Sequence, residues 1–235
     1  MTMLARLLLA LWLTLFPSLL LAQGNTTIES FQTSKHMLSE VYKDHRTTFY
    51  CGTEYTEYGE IRLPEGFSTP KYENRATRME WEHAVPAEAF GRNFPEWKHG
   101  GRKHTEKVNR EYRLIQADMY NLYPSIGAVN AMRSNYEYTE FLGNSENFRT
   151  CEMKVAKGKA EPPNHTRGQI ARTYLYMQDS YPQFHMSAEQ QKLMEKWNSE
   201  FPVDEWECIR AKRIEAIQGN ENLFVKEPCK EKGVW

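Results

Sequence analysis

The stretch RMEWEHAVPA, residues 78–87, places the carboxylate of Glu82 directly before the imidazole of His83. Apolar and charged residues alternate ahead of the pair, which predicts a strand over residues 76–83 that Pro86 brings to an end. Neighbouring side chains of a strand point to opposite faces, so the two can serve one site only where the strand ends. An imidazole can take a proton from water while a carboxylate holds a divalent cation against a phosphate, so the pair suggests metal-assisted hydrolysis.

The alternative for this pair is an ordinary surface position. A Glu-His dipeptide is common, and on its own it more often lies in solvent than in a catalytic site. No second His follows four positions after His83, which argues against the HExxH arrangement of zinc proteases. The interpretation therefore depends on the segments that follow.

The first of these segments is basic and begins at Lys98. Two glycines, Gly100 and Gly101, precede Arg102 and Lys103, and they let the backbone approach a ligand closely. The guanidinium fork of Arg102 suits phosphate oxygens, which makes it the best candidate here for a phosphate contact. Three later cations have the spacing of a solvent-exposed helix face and are interpreted as solvated: Lys107, Arg110 and Arg113.

The second segment, residues 118–136, is dense in hard oxygen donors and carries one arginine. The candidates are Asp118, Asn121, Asn130, Arg133 and Asn135. Pro124 and Gly127 predict a loop that leads into a helix. An amide oxygen such as that of Asn130 can complete a magnesium shell made otherwise of water and one carboxylate. For Asn121 and Asn135 we favour the alternative, in which the amides cap turns and helix ends.

Residues 1–22 read as a secretory signal peptide. Arg6 precedes a run from Leu7 to Phe16 that is apolar except for Thr14, and the segment ends on Ala22, a small residue suited to cleavage. A membrane anchor is the alternative, because residues 7–22 together nearly reach the ~20 residues of a spanning helix. Removing Arg6 changes the formal net charge from -1 to -2, which excludes binding of polyanions through overall charge.

The four cysteines all lie after the signal segment and form no Cys-x-x-Cys pair of the zinc-binding kind. Disulfides are therefore expected in an oxidising compartment, with buried free thiols as the alternative. Three connectivities are possible. We favour Cys51–Cys151 with Cys208–Cys229, the second of which would tie the final tail to a helix.

Composition and patterning predict one globular domain over residues 23–235, since 40% of the residues are hydrophobic and no repeat divides the chain. A short strand region is predicted to start at residues 48–51, followed by loop with short strand pieces over residues 52–75. Ser187 and Asp204 are placed as N-caps. Helical spacing of apolar residues predicts helices over residues 31–42, 167–181, 187–201 and 204–218.

The chain resembles the bacterial endonuclease I family of periplasmic or secreted nucleases. The resemblance runs through EWEHAVPA, GGRK, QADMYNLYPSIGAVNAMRSN, KAEPP with RGQIARTYLYM, and WECIRAKRIEAIQGNEN, and so covers nearly all of residues 23–235. It implies an α+β fold, in which a ββα-metal (His-Me finger) active-site core sits on a largely helical scaffold. It also implies that His83 is the general base, that Glu82 and Asn130 are metal ligands, and that Arg102 stabilises the phosphate.

These roles define the expected activity: a monomeric endonuclease that uses one Mg²⁺, with Ca²⁺ or Mn²⁺ as substitutes. It would cut double- and single-stranded DNA, and RNA, with little sequence preference and leave 5′-phosphate ends. Lys98, Lys103 and Arg133 are the expected nucleic-acid contacts. Familiar members of the family carry eight cysteines and this chain has four, so the loop with Arg102 is expected to be more mobile here.

Overall fold

The computed structural model describes residues 23–140 and 147–235; the predicted signal peptide at residues 1–22 lies outside them. The helices are α1 (Phe31–Val41), α2 (Ala87–Gly91), α3 (Gly101–Val108), α4 (Arg110–Gln116), α5 (Gly127–Arg133), α6 (Asn164–Ser180), α7 (Ala188–Glu200), α8 (Glu205–Gln218) and α9 (Leu223–Glu231). The strands are β1 (Met79–His83), β2 (Leu122–Ile126), β3 (Glu137–Tyr138), β4 (Lys154–Ala156) and β5 (Lys159–Glu161). The fold is thus mixed α+β, as predicted, and none of the described helices meets the length and hydropathy that crossing a membrane requires.

Strands β1 and β2 pair antiparallel, with Met79 opposite Ile126 and His83 opposite Leu122. Helix α5 follows β2 without an intervening loop, so two strands and a helix form one unit. Gly127 makes this junction possible, because a Cβ there would lie 2.6 Å from the carbonyl oxygen of Arg75. Any larger residue would push the helix away from β1.

The predicted loop around Pro124 is wrong, because Pro124 lies in the middle of β2, opposite Trp81. A proline is tolerated there because the sheet has only two strands, and its missing N–H faces an open edge. On that edge its carbonyl oxygen accepts a hydrogen bond from the Phe49 N–H at 2.7 Å. The predicted strand at residues 48–51 is also wrong: these residues form a turn that the Gly52 N–H closes onto the Thr48 carbonyl oxygen at 2.9 Å.

The helical scaffold predicted for the C-terminal third is confirmed. Ser187 and Asp204 cap α7 and α8 with side-chain oxygens that accept from backbone N–H groups. Helix α6 starts at Asn164, three residues earlier than predicted, because Pro163 takes the N-cap position. Trp197 of α7 is fully buried in the core that these helices share.

Two disulfides link Cys51 with Cys151 and Cys208 with Cys229, which is the connectivity favoured above. The first closes a sequence separation of 100 residues and holds the turn after Tyr50. The second closes a separation of 21 residues and joins α9 to α8. Each therefore restricts the unfolded chain.

Replacing both Cys208 and Cys229 with Ala should lower the free energy of unfolding by about 3 kcal/mol, the loop-entropy value for a loop of this length. Urea unfolding of the double variant beside the parent protein measures the difference. The reduced parent protein is a poor comparison, since it loses both bonds at once. A double variant with the parental midpoint would show that the bond contributes nothing to stability.

Candidate active site

One cavity of about 720 Å³ brings together residues that are far apart in the chain. It lies at the end of β1, beside the β1–β2–α5 unit. Of the predicted site residues, it is lined by Glu82, His83, Arg102, Asn130 and Arg133. These five come from β1, α3 and α5, so the fold assembles the set that the motifs singled out.

His83 is the last residue of β1 and is 7% exposed. Its Nε2 lies 2.9 Å from the backbone carbonyl oxygen of Gln116. A carbonyl only accepts hydrogen bonds, so Nε2 carries the proton and Nδ1 keeps its lone pair. Burial, together with the nearby cations Arg102 and Arg133, lowers the pKa of His83 to about 3, so the ring is neutral.

Arg102 lies at the start of α3, where Gly100 and Gly101 have φ values of 152° and 60°. Its Nε donates to the side-chain oxygen of Gln116 at 2.8 Å, and its guanidinium lies over the Phe31 ring, 5.4 Å from the centroid. The Tyr112 hydroxyl, which donates to the same Gln116 oxygen at 2.9 Å, also interacts with the guanidinium, and within residues 23–140 and 147–235 the one geometric hydrogen bond of Arg102 is that of Nε. Two donors of the fork are therefore available to a phosphate, while Gln116 holds both Arg102 and His83.

Glu82 is 3% exposed, and both of its hydrogen-bonded contacts involve the same oxygen. Oε1 accepts from the Tyr50 hydroxyl at 2.8 Å and lies 3.0 Å from Nη1 of Arg133. Burial raises the pKa of the Glu82 carboxyl, whereas Arg133 and Tyr50 oppose that shift. In the described part of the chain no hydrogen bond reaches Oε2, which leaves that oxygen for a cation.

Arg133 has no exposed surface, and its donors are directed at the protein. Nη1 donates to the backbone carbonyl of His83 at 2.7 Å and Nη2 donates to that of Ala84 at 2.5 Å. Its guanidinium also lies over the Tyr138 ring. Arg133 thus contacts the backbone at the end of β1 and lies 3.0 Å from the Glu82 carboxylate, while its contact with nucleic acid stays a prediction.

Asn130 lies on α5 and donates through Nδ2 to Oε2 of Glu80 at 3.1 Å. Because the nitrogen end is held, the amide oxygen is left as the ligand end. Arg75 and Arg78 in turn each donate through Nε to Oε1 of Glu80 at 2.9 Å. Sequence reasoning missed Glu80, although its position two residues before Glu82 already placed both carboxylates on one strand face.

The donor set fits a hard cation that keeps much of its water. Glu82 contributes one carboxylate and Asn130 one amide oxygen, both on the cavity wall. Across the described residues no group of three or more His, Cys, Asp and Glu side chains is placed to hold a metal. Mg²⁺ characteristically binds through one or two carboxylates together with waters and substrate phosphates, so two protein ligands are sufficient.

Lys98 and Lys103 lie outside the cavity wall, exposed on the adjoining surface. In the ranges that the structure describes, neither has an ion-pair partner within 4.0 Å. Arg110 and Arg113, by contrast, both pair with Glu29, at 2.5 and 2.9 Å. The two arginines are therefore held in ion pairs and are not free in solvent as predicted, whereas Lys107 is exposed as predicted. Lys98 and Lys103 leave positive charge near the mouth of the cavity.

A family model described as Endonuclease I matches residues 23–229. An extracellular deoxyribonuclease of Aeromonas hydrophila is 40% identical over 208 residues, 86% of this chain and 91% of that protein. A periplasmic deoxyribonuclease of the same organism is 40% identical over 229 residues, covering 94% and 95% of the two chains. Endonuclease-1 of Buchnera aphidicola subsp. Acyrthosiphon pisum is 39% identical over 212 residues, covering 88% and 84%.

Proposed function

The chain belongs to the endonuclease I family, and from this premise we propose that it hydrolyses phosphodiester bonds of DNA, and of RNA, with little sequence preference. The observation that carries the proposal is the meeting of a neutral imidazole, a carboxylate, an amide oxygen and a free guanidinium fork in one cavity. Each is a group that phosphodiester hydrolysis requires.

His83 acts as the general base. The Gln116 carbonyl holds Nε2–H, so Nδ1 receives a proton from a water molecule as that water attacks phosphorus in line. The bond from phosphorus to the 3′ oxygen breaks and the leaving oxygen takes up a proton from a solvent water, so the products carry a 5′ phosphate and a 3′ hydroxyl. The low pKa of His83 in the free protein ensures that the base is unprotonated before the polyanionic substrate binds.

Glu82 and Asn130 would hold one Mg²⁺, with Ca²⁺ or Mn²⁺ as substitutes. When bound, the ion supplies positive charge to the phosphate and to the leaving oxygen. Arg102 binds the phosphate through its free Nη donors and stabilises the charge that grows as the bond breaks. Tyr50 and Arg133 orient Glu82, and Glu80 orients Asn130.

Chelation with EDTA should abolish plasmid and RNA cleavage, and excess Mg²⁺ should restore it, because the two protein ligands alone cannot replace the ion's charge. An Asn130→Leu variant should need a Mg²⁺ concentration at least about tenfold higher for half-maximal rate. Asn74→Leu, which changes an exposed amide outside the cavity wall, is the matched control. Full cleavage in EDTA would contradict the metal-assisted mechanism.

Salt should weaken binding, since phosphate contacts release counterions from the nucleic acid. We expect the slope of log affinity against log salt, measured on duplex DNA with a His83→Ala background, to fall by about two in Lys98→Gln/Lys103→Gln. The matched control is Arg110→Gln/Arg113→Gln, which removes the same formal charge from side chains paired with Glu29. An equal loss of slope in both double variants would show that Lys98 and Lys103 make no specific phosphate contact.

An exported, monomeric enzyme of the periplasm or the cell exterior is part of the same proposal. The apolar segment at residues 1–22 and the two disulfides support export. Relatives named extracellular and periplasmic deoxyribonuclease support it as well. Light scattering on the mature protein checks the monomer.

A further inference from the structure

A second cavity, of about 350 Å³, adjoins the candidate active site. The two cavities share Pro86 and Asn135 in their walls. Resting on the proposed nuclease function, we propose that the second cavity receives one unstacked nucleobase of a single-stranded nucleic acid whose backbone lies in the active-site cavity. Its volume lies at the small end of the range for small-molecule sites, roughly 300–1,000 Å³.

The inner wall of this second cavity is aromatic. Tyr174 and Phe184 are each 3% exposed, and their rings meet edge to face with centroids 5.7 Å apart. Met186 lies beside them on the same wall. These two rings present a small apolar surface against which the edge of a flat base of any sequence can pack.

The polar feature of the wall is Gln190. The residue is 5% exposed, and its Nε2 has no hydrogen-bond partner within the described residues. Its backbone N–H is already used by Ser187 at 3.2 Å, so only the side-chain amide is left open. A buried donor without an acceptor costs stability, and a ring carbonyl oxygen of thymine, cytosine or guanine would satisfy it.

A polar bridge forms the boundary between the cavities. Glu88 lines the active-site cavity and accepts a hydrogen bond from Nδ2 of Asn135, which lines both. Arg92, on the wall of the second cavity, pairs with the same carboxylate at 3.1 Å. A strand that crosses this bridge passes one cation, Arg92, together with the Glu88 carboxylate that pairs with it, while one base enters the aromatic pocket. A paired base would first have to leave the duplex stack, so single strands are favoured.

The test compares two short fluorescent strands of equal length, oligothymidylate and its abasic counterpart, by anisotropy in a His83→Ala background. We expect oligothymidylate to bind about tenfold more tightly. Gln190→Leu should remove most of that ratio without lowering the melting temperature, because it removes an unpaired buried amide. Gln191→Leu, on the exposed side of the same helix, should keep both the ratio and the stability.

Ala89→Phe provides an independent variant, since it narrows the second cavity from another helix and leaves Gln190 intact. This variant should also bind oligothymidylate and the abasic strand with nearly equal affinity. Equal binding of both strands by the reference protein, or an unchanged ratio in Gln190→Leu and Ala89→Phe, would overturn the base site. Plasmid cleavage by the parent protein with Mg²⁺ separates the two proposals: a protein that cleaves but does not discriminate the strands retains the nuclease function and loses only the base site.

Discussion

His83→Ala should lower the rate of plasmid cleavage by roughly 10²- to 10⁴-fold, the usual effect of removing a general base. The loss should appear in kcat and not in DNA affinity, because His83 is 7% exposed and, in the proposed mechanism, its ring would contact the attacking water rather than the strand. Single-turnover cleavage at saturating enzyme measures the chemical step. Anisotropy with uncleaved DNA measures binding in the same samples.

His36→Ala is the matched control for this variant. His36 is exposed on α1, the helix that also carries Phe31, and lies outside the active-site cavity. Its replacement should leave the rate unchanged. His83→Gln distinguishes a loss of catalysis from a loss of folding, since this variant retains a polar group beside the Gln116 carbonyl. Near-parental cleavage by either His83 variant, with native near-UV circular dichroism, would remove the imidazole from the mechanism.

Arg133→Met should destabilise the protein by about 3–5 kcal/mol, the cost of leaving a buried carboxylate without its cation. Glu82 is 3% exposed, so water cannot replace the guanidinium. The same change removes the donors that hold the backbone carbonyls of His83 and Ala84, so cleavage should fall as well. Urea unfolding gives the free energy difference.

A second substitution separates charge from packing. Adding Glu82→Gln to Arg133→Met should recover much of the lost stability, because the uncompensated charge is gone. Arg92→Met, which breaks an exposed pair with Glu88, should cost no more than about 1 kcal/mol. If the two single arginine variants lost the same stability, the buried pair would have no special role.

Sequence reasoning went furthest where local pattern and chemistry coincide. Alternation before His83 predicted β1 and its end, and the proline after it supported the boundary. Capping side chains predicted the starts of α7 and α8, because an N-cap is a property of a few adjacent residues. The prediction of one shared site came from the family resemblance of the motifs and not from periodicity. It joined His83, Glu82, Arg102 and Asn130.

What could not be predicted depends on contacts between distant segments. Pro124 reads as a strand breaker, and only the open edge of a two-stranded sheet makes its place in β2 acceptable. Arg133 looks like a surface cation until Glu82 and two backbone carbonyls are seen around it. Gln190 is a polar residue at the start of a helix. Nothing in the neighbouring sequence indicates that its amide nitrogen is buried without a hydrogen-bond partner among the described residues.

The position of Gln116 affects which substitutions the enzyme can tolerate near its site. Its main-chain oxygen holds the His83 imidazole and its side-chain oxygen holds the Arg102 guanidinium, so a single residue that is 1% exposed lies between the two groups. The chain between them, residues 84–101, contains buried core side chains such as Val85 and Phe90 as well as exposed ones such as Lys98. Charge changes at the exposed positions can therefore reshape the face presented to a polymer while the interior distances stay constant.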